Sequence, residues 1–230
     1  MKHAVIFTGA DRYDGKWHDH AATSQRVAEI LGEIGIDGRI RGTRPWTFGD
    51  LSGIDLVVLN AANGIQGPED ATDEEWAPAH ATFREYVERG GPLLVLHLSI
   101  AAFGTHAEWN RRLGGAWIPG TSMHPPRSDS RVQVNTDAHP IVAGLADFDV
   151  HDEMYSYMVT EPGNVVLATH HYEGIAHPLA WAREIAGNGR VVYDALGHGV
   201  ESYDAAGRIV LLKREALWLT GAGPDEIAVI

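Results

Sequence analysis

Thirteen histidines in 230 residues is a high count, and several stand where an imidazole can do chemistry. His97 closes the apolar run "LLVL", where another aliphatic residue would fit. His198 lies between two glycines in "GHG". His18 and His20 flank Asp19 in "KWHDH", and His124 stands in "SMHPP". Imidazole is the side chain best suited to metal binding and proton transfer near neutral pH. The segment "HDEMYSY" adds Asp152, Glu153 and Tyr155. Acidic oxygens accept hydroxyl protons and an aromatic face covers the apolar side of a sugar ring, so this segment suits a polyhydroxylated ligand. Either carboxyl becomes a general acid or base if its surroundings raise its pKa. Three imidazoles, or two with a carboxylate, also form the donor set of a divalent ion such as zinc, leaving one position open. The candidate catalytic groups are His97, His198 and Glu153. The candidate metal ligands are His97, His124 and His198, though their spacing along the chain gives no HxxxH-type helix pair. The candidate substrate contacts are His18, Asn63, His124, Asp152 and Tyr155. Ser99 is a poor nucleophile, because an elbow needs small residues two positions either side and only Ala101 qualifies.

These residues need elements to bring them together. "HAVIFT", "IDLVVLN", "GGPLLVLH" and "GRVVYDALGHG" read as buried strands, nearly all apolar. Between the first two, Val27, Ile30, Leu31 and Ile34 recur at helical spacing and Gly35 stops the helix. "DGRIRG" is an edge-strand candidate. Thr72 and Glu75 form a capping box for a second helix that ends at Gly90–Gly91, with Pro78 expected to shorten or kink its first part. "AAGRIVLLKREALWLTG" is a closing amphipathic helix. Alternating strands and helices of this kind imply a mostly parallel sheet covered on both faces. Such sheets bind ligands outside the carboxyl ends of their strands, where His18, Asn60, Asn63, His97 and His198 fall. Residues from about 105 to 185 are less regular, with short strand candidates "SRVQVNT", "NVVLATH" and "PLAWA". No linker divides the chain, so one domain over 1–230 with an insertion is expected.

Composition narrows the partners. Thirty-one acidic against 18 basic residues give a formal net charge of −13, which repels phosphate backbones and anionic membranes. No apolar run reaches membrane-spanning length, and the N-terminal apolar stretch is too short for a signal peptide, so a cytoplasmic location is expected. The absence of cysteine removes disulfides, thiolate ligands and cysteine nucleophiles.

The ordered set "KWHDH", "DLVVLNAANG", "YVERGGPLLVLH", "SMHPP", "VNTDAHPIVAGL", "HDEMY", "PLAWA" and "GRVVYDALGH" resembles the ThuA-like family, named for a trehalose-utilisation protein, over nearly the whole chain. The resemblance implies a flavodoxin-like α/β fold similar to class I glutamine amidotransferases, with inserted strands. His97 would then stand near the point where those enzymes carry a catalytic cysteine, so glutaminase chemistry is excluded by residue type. His18, His97, His124, Glu153 and His198 match recurrent polar positions of the family. Pro92 and the sequence "LSIAAFG", which lacks the family's usual aspartate, depart from it. The implied function is carbohydrate utilisation, with a sugar or an oxidised (keto) disaccharide as the small-molecule partner, and a homodimer is the assembly this fold type suggests. A non-catalytic sugar-binding or regulatory module on the same scaffold is the competing expectation.

Overall fold

The computed structural model describes residues 1–103, 107–185, 187 and 189–230. In chain order its strands are β1 (Lys2–Thr8), β2 (Ile36–Gly42), β3 (Leu56–Asn60), β4 (Leu93–Leu96), β5 (Gly115–Ala116), β6 (Ser128–Val134), β7 (Phe148–Asp152), β8 (Val159–Thr160), β9 (Val165–Tyr172), β10 (Ile175–Ile185) and β11 (Gly189–Asp194). The helices are α1 (His20–Gly32), α2 (Pro45–Phe48), α3 (Asp73–Glu88), α4 (Ala107–Leu113), α5 (Ala206–Leu219) and α6 (Pro224–Ala228). Among the described residues, nine strands form one sheet in the order β2-β1-β3-β4-β11-β10-β9-β6-β7. The first five run parallel, and the remaining pairings are antiparallel. The fold is thus α/β and flavodoxin-like, with a mostly parallel sheet and an antiparallel inserted region. The start of that insertion, near residue 105, lies outside the described residues.

Local chemistry explains the parallel half. Every residue of β3 and of β4 is buried, as expected for strands covered on both faces. Side chains alternate across β1. Ile6 faces Gly38 and Ala28 on the α1 side, whereas Phe7 stacks on Phe48 of α2 at 4.2 Å between ring centres. Phe48 in turn meets Trp76 and Phe83 of α3 edge-on, so an aromatic layer fills one side. α1 and α5 pack together on the other. The Thr72–Glu75 capping box forms as its spacing requires, with Thr72 N–H donating to Glu75 Oε2 at 2.8 Å. Pro78 neither ends nor shortens α3, which runs through it. It lies only six residues into the helix, so a single intrahelical bond is forgone.

The antiparallel half curls back over the carboxyl edge of the parallel half. Phe148 at the start of β7 packs against Gly207 of α5, and Asp152 at its end reaches the loop after β11. That curl brings residues 152–155 over the ends of β4 and β11.

Candidate functional site

The parallel strands deliver their last residues to one edge. β4 runs straight into a 3-10 turn, His97–Ala101, and His97 takes φ = +46°, a left-handed conformation that costs about 1–3 kcal/mol for a residue with a side chain. The result is a fixed imidazole. Its Nδ1 donates to the Ala195 carbonyl at 2.6 Å, so in the neutral ring Nε2 carries only a lone pair. Ser99, unexplained by sequence, locks this turn to the neighbouring strand exit. Its Oγ donates to the Ala61 carbonyl at 3.0 Å and accepts from the Ala61 amide at 2.7 Å. Both lone-pair and donor functions of the hydroxyl are consumed by backbone, as befits a structural serine.

Around His97 Nε2 the other groups converge. His18 Nε2 lies 3.1 Å away and the Tyr155 hydroxyl, also at 3.1 Å, donates to it. Glu153 Oε2 lies 3.5 Å from His97 Nε2, 3.5 Å from His124 Nε2 and 3.2 Å from His198 Nδ1. One donor atom from each of His18, His97, Glu153 and His198 falls within 4.8 Å of the other three. Three of these four come from the turns after β1, β4 and β11, and Glu153 comes from the end of β7. His198 arrives through a turn that only glycine can make: Gly197 sits at φ = +119°, and a Cβ there would lie 2.6 Å from the Tyr203 hydroxyl.

Protonation follows from burial and neighbours. His18 is pushed down to about 3, first by burial and then by the His97, His198 and His20 imidazoles, so it is a neutral ligand-type nitrogen at ordinary pH. Burial works to raise the Glu153 carboxyl, but the His198 and His97 rings, when protonated, outweigh it at its oxygens and hold it well below the usual range. Glu153 is therefore an anion at ordinary pH, the reverse of the raised pKa that a general acid needs. Tyr155, fully buried, keeps its proton because burial drives its pKa well above the ordinary phenol value.

The remaining sequence candidates fall in different places. His124 stands at the rim, 36% exposed, its Nδ1 donating to the Pro125 carbonyl at 3.0 Å and its Nε2 turned toward Glu153. The convergent donor set thus contains His18 and Glu153 beside His97 and His198, and leaves the candidate ligand His124 outside it. Asp152 is buried and its oxygens are occupied by backbone amides, so it faces no ligand. Asn63 is exposed and lines a separate cavity with Arg12, Gln66 and Arg84. Two further residues line the site, neither assigned a role from the sequence. His20, at the start of α1, stacks on His18 with ring centres 5.4 Å apart. Trp117, just after β5, packs on Tyr155 at 4.6 Å. "KWHDH" hints at the first, but nothing in "GGAWIPG" separates Trp117 from a core tryptophan.

A family model described as "ThuA: Trehalose utilisation" matches residues 3–219. The chain belongs to this family. Among solved structures, a ThuA-like protein from Parabacteroides merdae ATCC 43184 shares 22% identity with this ThuA member. The match covers 96% of this chain and 90% of that one at a TM-score of 0.74. A ThuA-like protein from Bacteroides uniformis ATCC 8492 shares 17% identity over 97% and 94% of the two chains, with a TM-score of 0.69. A GMP synthase component from Thermoplasma acidophilum shares 15% over 96% and 94%, with a TM-score of 0.57. At these identities the likenesses show the fold alone. No curated protein matches the chain. Among the described residues, no helix of this ThuA protein is long and apolar enough to cross a membrane.

Behind the site, His170 Nε2 lies 3.1 Å from both the Ser156 hydroxyl and the Tyr155 carbonyl, bracing the segment that carries Tyr155. Burial lowers the pKa of His170. A base with a lowered folded pKa binds fewer protons native than unfolded. Its contribution is complete above the unfolded value of 6.5 and is lost as pH falls through and below it. Between pH 8 and pH 5.5 the urea midpoint is expected to fall, and less steeply in His170→Gln. Equal slopes in the two proteins would contradict this assignment.

Proposed function

We propose that this ThuA protein is an enzyme acting on a sugar or an oxidised (keto) disaccharide, with a divalent metal such as zinc held at the His18–His97–Glu153–His198 cluster. The observation that carries this reading is the convergence of four donor atoms, from three histidines and a glutamate, within 4.8 Å of one another. Electrostatics supports it. His18 is neutral and Glu153 anionic at ordinary pH, the protonation states that a dication requires of its ligands, and His97 Nε2 turns its lone pair toward the same point. The Ala195 carbonyl on His97 Nδ1 is the outer partner that ligating imidazoles commonly have. Three of the four groups suffice to hold zinc, and the fourth can yield to a substrate oxygen. Bound there, the metal would supply Lewis-acid polarisation of a substrate oxygen.

The chain's own residues supply the rest. Glu153, ionised at ordinary pH, orients a substrate hydroxyl or balances charge but carries no proton to give. His124, exposed at the rim and beside Glu153, is the group placed to move a proton to or from solvent. Tyr155, kept protonated by burial, would turn its hydrogen bond to a substrate oxygen once His97 Nε2 gives its lone pair to the metal, with Trp117 packed on its ring. Disaccharides and their 3-keto forms, incubated with zinc-loaded and chelator-treated protein from pH 5 to 9, test this reading. Zinc-dependent turnover is the expected result. Ligands that raise the melting temperature without turnover at any pH would replace it with the sugar-binding module.

A further inference from the structure

Asp152 is 1% exposed, and its carboxylate does not face the donor cluster. Its Oδ2 accepts from the Gly197 amide at 2.7 Å. Its Oδ1 accepts from the His198 amide at 3.1 Å and from the Glu153 amide at 2.8 Å. Three backbone N–H groups from two distant segments thus end on one side chain. One segment is the end of β7, which carries Glu153. The other is the loop after β11, which carries His198. In the sheet order β10, β9 and β6 separate β7 from β11. The sheet ladder therefore does not fix their distance, and Asp152 closes it directly.

We infer that Asp152 is a positioning residue that sets the 3.2 Å approach of His198 Nδ1 to Glu153 Oε2, and with it the shape of the donor cluster. The geometry explains why an acidic residue is needed. Two oxygens must accept three amide hydrogens, and an amide side chain offers one acceptor oxygen and an NH2 that opposes the amides on the other side. The loop has independent anchors: Asp194 Oδ1 accepts from the Leu196 amide at 2.9 Å, and Ala195 N–H donates to the Leu179 carbonyl at 2.8 Å. Loss of the Asp152 contacts thus releases residues 197 and 198 without freeing the whole turn. The metal consequence rests on the reading proposed above, whereas the positioning itself does not.

Asp152→Asn separates the two. In metal-free protein at pH 8, nitrogen-15 spectra of the histidine rings are expected to show one defined tautomer for His198 in the parent. In the variant the ring should show exchange-averaged, mixed-tautomer shifts, with the His20 and His170 signals unmoved. Exchange of the Gly197 and His198 amides should quicken at least tenfold. A role limited to general stability would move all the rings or none. Zinc added to the two proteins is expected to bind the variant about 10–100-fold more weakly, the usual cost of losing an outer partner. Unchanged His198 ring signals and unchanged amide exchange would overturn the inference whether or not zinc binds. Zinc binding by neither protein, with the ring signals altered, would leave the positioning role standing and remove the metal reading. Should Asp152→Asn fail to fold, Asp152→Ser, which keeps one acceptor without an opposed NH2, takes its place under the same criteria.

Discussion

Replacing His97 by alanine is expected to weaken zinc binding by more than about 100-fold, beyond the 10–100-fold typical of losing an outer partner, because a ligating nitrogen itself disappears. His97 sits at the centre of the cluster, with His18 Nε2 and the Tyr155 hydroxyl each 3.1 Å from its Nε2. Its backbone supplies a second, independent signature. At φ = +46° alanine is strained almost as histidine is, whereas glycine is not. His97→Gly is thus expected to unfold at higher urea than His97→Ala, by about 1 kcal/mol, while binding zinc no better. Zinc titration against a competing chelator and urea denaturation of both variants check the pair of claims. Zinc affinity equal to the parent in both variants, or a glycine variant less stable than the alanine one, would contradict them.

Arg208→Met is expected to cost about 3–5 kcal/mol, the usual penalty for stranding buried charge. Arg208, Asp194 and Glu215 are all fully buried, and Arg208 Nη1 lies 2.7 Å from Asp194 Oδ2. Burial drives the Glu215 carboxyl far above its ordinary range, and the neighbouring Asp194 adds to the effect. Burial also raises Asp194, but the Arg208 guanidinium opposes it. One proton therefore stays on Glu215, and Asp194 is the anion paired with Arg208. It follows that Glu215→Gln, which replaces a neutral acid with a neutral amide of similar shape, is expected to change stability by less than about 1 kcal/mol, within the range of replacing one neutral hydrogen-bonding group by another. Denaturant midpoints of the two variants decide the matter. A Glu215→Gln penalty as large as that of Arg208→Met would mean that Glu215 carries the charge.

The parallel half was legible because β1, β3, β4 and β11 hold runs of apolar residues and its helix boundaries carry capping residues or glycines. "LVVLN", "LLVL" and the Thr72–Glu75 pair each specify their element from local chemistry. The carboxyl-edge rule then placed His18, His97 and His198 together, since each follows a parallel strand. Glu153 and Tyr155 were visible only as a cluster of useful types. Their delivery to that edge depends on the curl of β6–β10, which rests on long-range pairing and not on any local period. The same limit explains Asp152, which resembles Glu153 in sequence yet points the other way, as adjacent residues at a strand end do. Arg208 and Glu215 were the least readable, because the helical spacing of "GRIVLLKREALWL" marks charged residues as solvent-facing and only the paired carboxylate on β11 reverses that.

The most direct test of the metal-assisted site is diffraction from crystals of zinc-supplemented protein, with anomalous data collected on both sides of the zinc absorption edge. One zinc per chain, within bonding distance of at least three of His18 Nε2, His97 Nε2, His198 Nδ1 and Glu153 Oε2, is the expected result. Crystals whose cluster stays free of metal at saturating zinc, or whose zinc lies only on half-buried surface histidines such as His3 and His151, would contradict it.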